Sequence, residues 1–481
     1  MADTSLLIME ESSRFSRIPK YMIAAISSWF GSLALGTVVG YTANASPSLQ
    51  APGSHVHLST DQLSWLGSLM ALGAVFGSVC AGSSIEYIGR KGTLIMTSVP
   101  FVLGWLLMAY AGRLESASSL LIGRLITGFC CGLVSLTAPV YIAETADPSA
   151  RGFLGSGFQL SICVGVLISF IAGKYVSWAY LAVISSLFPI ILLALMCLMP
   201  ETPYWLIKRG RISDATDANV FLHGLDVAQH TVVEQSVGGS VVSSTGDSVP
   251  AIDTSLKLRE FRKAHVMKPL VLTLALMLFQ QTSGVNALLF FTTDIFAQSG
   301  SHSLAAADAT ILVGVVQVVA ALAACLLTDR AGRKLLLVVS SIGCGLSMLS
   351  LSVYHFLSDA NEGQEVKQEF SWVPVVALIS FMVTFSLGLG PIPWLLMGEL
   401  LPSHVRSVAS GLCSSYNWLM AFLITKLFHT LLDCLHESGT YLLFSVLCFT
   451  CTLFVVFFLP ETKGKSLTEI ENIFKARPTI D

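Results

Sequence analysis

The sequence predicts an all-α integral membrane protein of twelve transmembrane helices in two six-helix halves. Three observations carry this: a chain poor in charge, a succession of apolar runs of bilayer length, and three motifs that recur in the same order. Of the 481 residues, 53% are hydrophobic and 12% charged, and the mean hydropathy is +0.72. A soluble domain of ordinary composition is about 25% charged. A helix of about 20 apolar residues crosses a hydrocarbon core of about 30 Å.

The apolar runs lie at approximately 21–43, 63–84, 93–111, 119–142, 154–173, 178–199, 269–292, 309–327, 335–357, 373–397, 408–431 and 440–459. Arg124 and Lys426 are the charged residues inside them. The first run follows a polar leader with Asp3, Glu10, Glu11, Arg14, Arg17 and Lys20. Its apolar core is longer than that of a signal peptide, so it reads as a retained helix. With both termini cytosolic, Arg113, Lys174 and Lys367 are the basic residues left on the outer side, which is a strong positive-inside bias. The net charge of −3 is sorted by side and points to no nucleic-acid partner. The eleven cysteines form no C-x-x-C pair and no metal spacing, and His55 and His57 read as loop histidines. No cofactor or metal is expected. No nucleophile–base pair or phosphate loop argues for an enzyme.

Five regions follow: a cytosolic leader 1–20, an N-terminal bundle 21–199, a cytosolic linker 200–268, a C-terminal bundle 269–459 and a cytosolic tail 460–481. The linker is helical near Ile212–His223 and has a Ser/Gly/Val-rich piece from Val237 to Pro250. Glu86-Tyr-Ile-Gly89-Arg90-Lys91 recurs as Asp329-Arg330-Ala-Gly332-Arg333-Lys334. Glu144 with Arg151 recurs as Glu399 with Arg406, and Pro200-Glu201-Thr202 as Pro460-Glu461-Thr462. The offsets are 243, 255 and 260 residues, a drift that loop divergence after duplication produces. Duplicated halves that rock about a central site are an architecture of secondary transporters.

The motif charges suggest a latch. Glu86, Arg90, Glu144 and Arg151 of the first half are expected to pair with Asp329, Arg330, Arg333, Glu399 and Arg406 of the second across the cytosolic mouth. Each exposed pair is worth about 0–1 kcal/mol, enough together to bias two states. The alternative is that the basic members anchor helix ends at lipid headgroups.

The interior chemistry is mainly amide and aromatic. Gln159, Gln280, Gln281, Asn286, Gln317 and Asn417 sit within spans. Polar side chains at that depth face the bundle or a cavity. Amides both donate and accept, which suits hydroxylated ligands; the plainer reading is helix–helix hydrogen bonding. Phe385, Trp394 and Trp418, with Phe290 and Phe291, offer flat apolar faces. Gly390, Pro391 and Pro393 break the tenth span. Gly123, Gly128 and Gly132 make a small-residue face on the fourth, where Arg124 needs a partner.

These residues together resemble the sugar porter family of the major facilitator superfamily, the group that contains the facilitative glucose transporters. The resemblance runs over nearly the whole chain. It rests on Asp329-Arg-Ala-Gly-Arg-Lys334, Gln280-Gln-Thr-Ser-Gly-Val-Asn286, Gly390-Pro-Ile-Pro-Trp394, Pro200-Glu-Thr-Pro203 and Pro460-Glu-Thr-Lys-Gly464. It implies that Gln159, Gln280, Gln281, Asn286, Trp394 and Asn417 bind sugar. Gln317 stands where the major glucose uniporters have Asn. Proton-coupled members carry an Asp directly after a Gly-Tyr pair in the first span; here the chain reads Gly40-Tyr41-Thr42. Met277-Leu-Phe279, Ser386, Glu86-Tyr87 and Tyr204 also depart from the glucose-selective pattern.

The resemblance therefore implies a facilitative hexose uniporter working by alternating access. A trehalose carrier, a proton-coupled sugar or polyol symporter and a non-transporting sensor are its rivals. The implied partners are a small neutral sugar and the lipid bilayer. Asp3, Leu7 and Ile8 fit an acidic dileucine pattern, as in leaders of intracellularly sorted glucose transporters and, more loosely, insect trehalose transporters. That pattern implies a sorting adaptor, and residence in the plasma membrane with cycling to, or retention in, endosomal or lysosomal membranes.

Overall fold

The computed structural model describes residues 19–51, 56, 58–147, 150–224, 263–286, 288–289, 306–359, 369–370, 372–402, 405–465 and 467–475. The sorting positions Asp3, Leu7 and Ile8, the stretch 237–250, His55, His57, Phe290, Phe291 and the Asp329 side chain lie outside what is described.

The first six spans form α1 (Lys20–Gln50), α2 (Thr60–Tyr87), α3 (Arg90–Tyr110), α4 (Ala117–Thr145), α5 (Arg151–Tyr175) and α6 (Trp178–Leu198). Two short helices follow, α7 (Pro203–Lys208) and α8 (Ile212–His223). The second half contains α9 (Ala264–Thr282), α10 (Ala306–Ala331), α11 (Arg333–Asp359), α12 (Val373–Leu387), α13 (Ile392–Leu400) and α14 (Arg406–Phe458), with α15 (Leu467–Lys475) in the tail. Among the described residues eleven segments are long and apolar enough to cross a membrane. The run at 269–292 is not continuous helix: α9 stops at Thr282 and the chain turns at Ser283–Gly284. The tenth span splits into α12 and α13, as its prolines require. α14 holds the eleventh and twelfth spans and leaves helical geometry at His436 (φ 56°).

Small residues set the closest helix contacts. On α2 and α4, a Cβ at Gly77 would fall 2.0 Å from the Phe129 carbonyl, and one at Gly128 2.1 Å from that of Met70. Helices in lipid gain association by such backbone approach, since no hydrophobic force separates them from the tails. Between the halves the main contacts are α2 with α14 and α5 with α10.

The duplicated motifs build duplicated corners. Gly89 (φ 93°) and Gly332 (φ 90°) take left-handed turns that other residues resist. Each turn opens a helix, α3 or α11, whose free N–H groups need acceptors. Glu201 accepts from the N–H groups of Arg90, Lys91 and Thr202, and Glu461 from those of Arg333, Lys334, Thr462 and Lys463. Burial works against the Glu461 charge, but its backbone donors outweigh it and hold the carboxyl below the ordinary carboxylate range.

Candidate functional site

The site is founded on the break in the tenth span. In a helix the carbonyls of Leu387 and Leu389 would accept from residues 391 and 393, which are prolines with no N–H. The Gln280 side chain on α9 supplies a donor for Leu389, donating through Nε2 to the Leu389 and Gly390 carbonyls, both at 2.8 Å. Ser340 Oγ on α11 accepts from the Leu389 N–H at 2.9 Å. The break is thus held open by side chains from two other helices.

Gln280 begins a chain of amides. Asn417 Nδ2 on α14 donates to Gln280 Oε1 (2.7 Å), Gln281 Nε2 to Asn417 Oδ1 (2.9 Å), and Asn286 Nδ2 to Gln281 Oε1 (2.6 Å). Gln280, Gln281 and Asn417 are buried and Asn286 is half-buried. Four amides predicted from the sequence are therefore one network, spanning α9 and α14 and reaching the break. The helix–helix reading and the ligand reading meet here: each amide is held by another, and no formal charge enters the chain.

Gln317 on α10 is buried, and its Oε1 has no hydrogen-bond partner among the described residues. A buried acceptor left open costs about 1–3 kcal/mol, which a donor on a ligand or a water would recover. Phe385 stacks on Phe381 with centroids 5.9 Å apart. Trp394 packs beside the apolar cluster that contains Met277, Met397 and Leu401. Trp418 reaches the first half, its Nε1 donating to Ser135 Oγ at 3.3 Å. Gln159 on α5 stands apart from the amide chain and contacts Cys163 Sγ at 3.8 Å. It lines a narrow cleft between the halves with Ser156, Cys325, Thr328, Ser386 and Pro391. The cleft's volume of about 10 Å³ holds about one water, so this conformation is closed at that point. A larger groove of about 390 Å³, lined by Gly73, Phe76, Pro100, Leu103, Leu125, Ile126 and Phe129, is wholly apolar and offers nothing to a polar ligand.

Arg124 finds neutral partners. It is fully buried and donates to the Leu66 carbonyl (3.1 Å), the Val38 carbonyl (2.9 Å) and Thr42 Oγ1 (2.8 Å), with Tyr41 facing the guanidinium at 5.6 Å. The sequence reading named neither Ser340 nor Ser135. Serines abound in these spans, and only a fold shows which of them meets a broken helix or a tryptophan.

The model of the sugar (and other) transporter family matches residues 20–474. The chain belongs to the sugar porter family of the major facilitator superfamily.

This sugar porter is 38% identical over 457 residues to the facilitated trehalose transporter Tret1 of Polypedilum vanderplanki, covering 95% of this chain and 88% of that one. It is 37% identical over 450 residues to Tret1 of Bombyx mori, covering 94% and 86%. Against Tret1 of Aedes aegypti, 38% identical, it spans 55% of the relative's length, so several of these relatives are about twice as long as the region matched. In fold it matches the proton:xylose symporter XylE bound to 6-bromo-6-deoxy-D-glucose, with a TM-score of 0.77, 22% identity, and coverage of 94% and 99%.

In this conformation the Arg–Glu pairs of the motifs in the sugar porter close within each half. Arg90 Nη2 pairs with Glu144 at 2.8 Å and Arg333 Nη2 with Glu399 at 3.1 Å, each within one half. Each guanidinium also donates to a carbonyl near the end of the preceding helix, Ile85 or Thr328, in its own half. Glu86 pairs with Lys208 at 2.5 Å. Arg406 Nε donates to the Leu401 carbonyl at 3.1 Å, Arg330 offers its carbonyl to Lys463, and Arg151 is exposed. Among the described residues, apolar and neutral contacts cross between the halves near this end: Ala81, Ile85 and Leu136 pack with Met397, Leu401 and Ala409, and Ser78 Oγ meets Ser414 Oγ at 3.0 Å. A duplicated unit satisfies its charges internally, and repetition in sequence does not reveal which copy a residue faces.

Proposed function

We propose that this sugar transporter is a facilitative carrier working by alternating access, with trehalose its favoured substrate. Arg124 carries the facilitative reading. A proton-coupled cycle needs a titratable group in the membrane, and the position after Gly40-Tyr41 that would hold a carboxylate is Thr42, a neutral acceptor for Arg124. The amide chain supports a neutral, hydroxyl-rich substrate, since every member both donates and accepts. The expectation from sequence put a hexose first. The relatives named as trehalose transporters support ranking the disaccharide ahead of glucose. Both termini and the linker are assigned to the cytosolic side by the positive-inside bias.

The test is uptake of labelled trehalose and labelled glucose into proteoliposomes, with and without an imposed pH gradient. The reading expects trehalose to equilibrate faster than glucose and neither sugar to accumulate. Accumulation driven by the gradient would overturn the facilitative assignment, and faster glucose uptake would restore the hexose.

A further inference from the structure

Two ion pairs cross between the halves among the described residues, and both lie at the end opposite the Glu–Arg motifs. Lys174 Nζ on α5 pairs with the Asp308 carboxylate on α10. Lys426 Nζ on α14 pairs with Asp61 Oδ1 on α2 at 3.2 Å, meets Ser64 Oγ at 3.3 Å and lies 4.3 Å from the Trp65 ring centre.

These pairs are copies of one another. Asp61 is in the first turn of the second span and Asp308 in the first turn of the eighth. Lys174 is in the last turn of the fifth span, and Lys426 is close to the outer limit of the eleventh apolar run, 408–431. The acids are 247 residues apart and the lysines 252, inside the range set by the three recurrent motifs. Each acid of one half meets the lysine of the other, as a two-fold relation between halves demands. The motif-end pairs close within a half; these close between halves.

We propose that the duplicated Asp–Lys pairs are a double clamp that shuts the end opposite the motifs and must release each time sugar passes there. The design suits a reversible contact. Each acid sits at the positive end of a helix dipole and Lys174 at a negative end, so these charges remain stabilised with the clamp open. The pairs are also partly exposed, with side-chain exposures of 31% and 41% for Lys174–Asp308 and 26% and 77% for Lys426–Asp61. Water and salt therefore weaken them, and they bias the cycle without locking it. The proposal needs the chain to carry a sugar, which the family establishes, and is independent of which sugar and of proton coupling.

The test measures the ratio of apparent sugar affinities at the two faces, from entry and exit in proteoliposomes of known orientation. Asp61→Asn and Asp308→Asn should each shift that ratio about two- to fivefold toward the state open at the clamp end, with the double variant shifting it further. The exchange Lys174→Asp with Asp308→Lys should return the ratio to near the wild-type value, which a merely structural residue would not do. In wild-type protein, raising salt from about 20 to about 500 mM should move the ratio in the same direction, and this needs no variant to fold. An unchanged ratio in Asp61→Asn/Asp308→Asn that still transports, together with no salt effect in wild type, would overturn the clamp. A protein that transports neither trehalose nor glucose would instead count against the proposed substrate, and the salt effect would then be read on whichever sugar it binds.

Discussion

The two halves use the same pair of helices for opposite purposes. In the first, Arg124 on the fourth span reaches to the first span, to the Val38 carbonyl and Thr42. In the second, Gln280 on the seventh span reaches to the tenth, to the Leu389 and Gly390 carbonyls. By duplication these are the same contact, with the direction reversed. One side carries a charge sealed among neutral acceptors; the other carries neutral amides arranged around a broken helix. Duplication preserved the scaffold and its motif-end corners, while the interior diverged into a sealed charge in one half and linked amides in the other.

Substitutions at these contacts should separate the two roles. Arg124→Ala strips the Leu66 and Val38 carbonyls and Thr42 of a donor, at about 1–3 kcal/mol for each group left unmet. The largest effect is therefore on stability, a fall in Tm of about 5 °C or more read in detergent-purified protein. A Tm equal to wild type would show that the first half is not held by this residue. Thr42→Asp puts a carboxylate beside Arg124; uptake that is indifferent to a pH gradient in wild type should then respond to it by a few-fold. If the gradient has no effect in the variant, the neutral contact is not what keeps protons out. Gln159→Ala removes an amide that lies outside the network, and sugar uptake should fall only about threefold. A tenfold loss there would place the first half in the binding site on equal terms.

Much of this was legible in the sequence because membranes constrain it so strongly. Spans follow from run length alone, and the split of the tenth follows from Pro391 and Pro393, which remove donors wherever they stand. The four linked amides were identifiable because amides are costly at that depth. Their connectivity was not, since the spacing of Gln280 and Asn417 says nothing of which helix faces which. In this conformation the motif charges close inside each half, Arg90 on Glu144 and Arg333 on Glu399, because these are ends of neighbouring helices. Repetition in sequence hides whether a pair closes inside a unit or between units. The stop of α9 at Thr282 was hidden inside a run whose hydropathy continues without pause. From the sequence, Lys426 is only a charge within the eleventh span; the fold sets Asp61 and Trp65 beside it.

The claim that the amide chain is the sugar site is tested most directly by equilibrium binding of labelled trehalose to purified wild-type and Gln280→Ala protein, with Gln159→Ala as the comparison. Gln280 holds both the break and Asn417, so its loss should weaken binding about tenfold or more, the equivalent of about 1.4 kcal/mol, and by more than the loss of Gln159. Equal affinity in wild type and Gln280→Ala would mean that the network only packs helices and that sugar binds elsewhere.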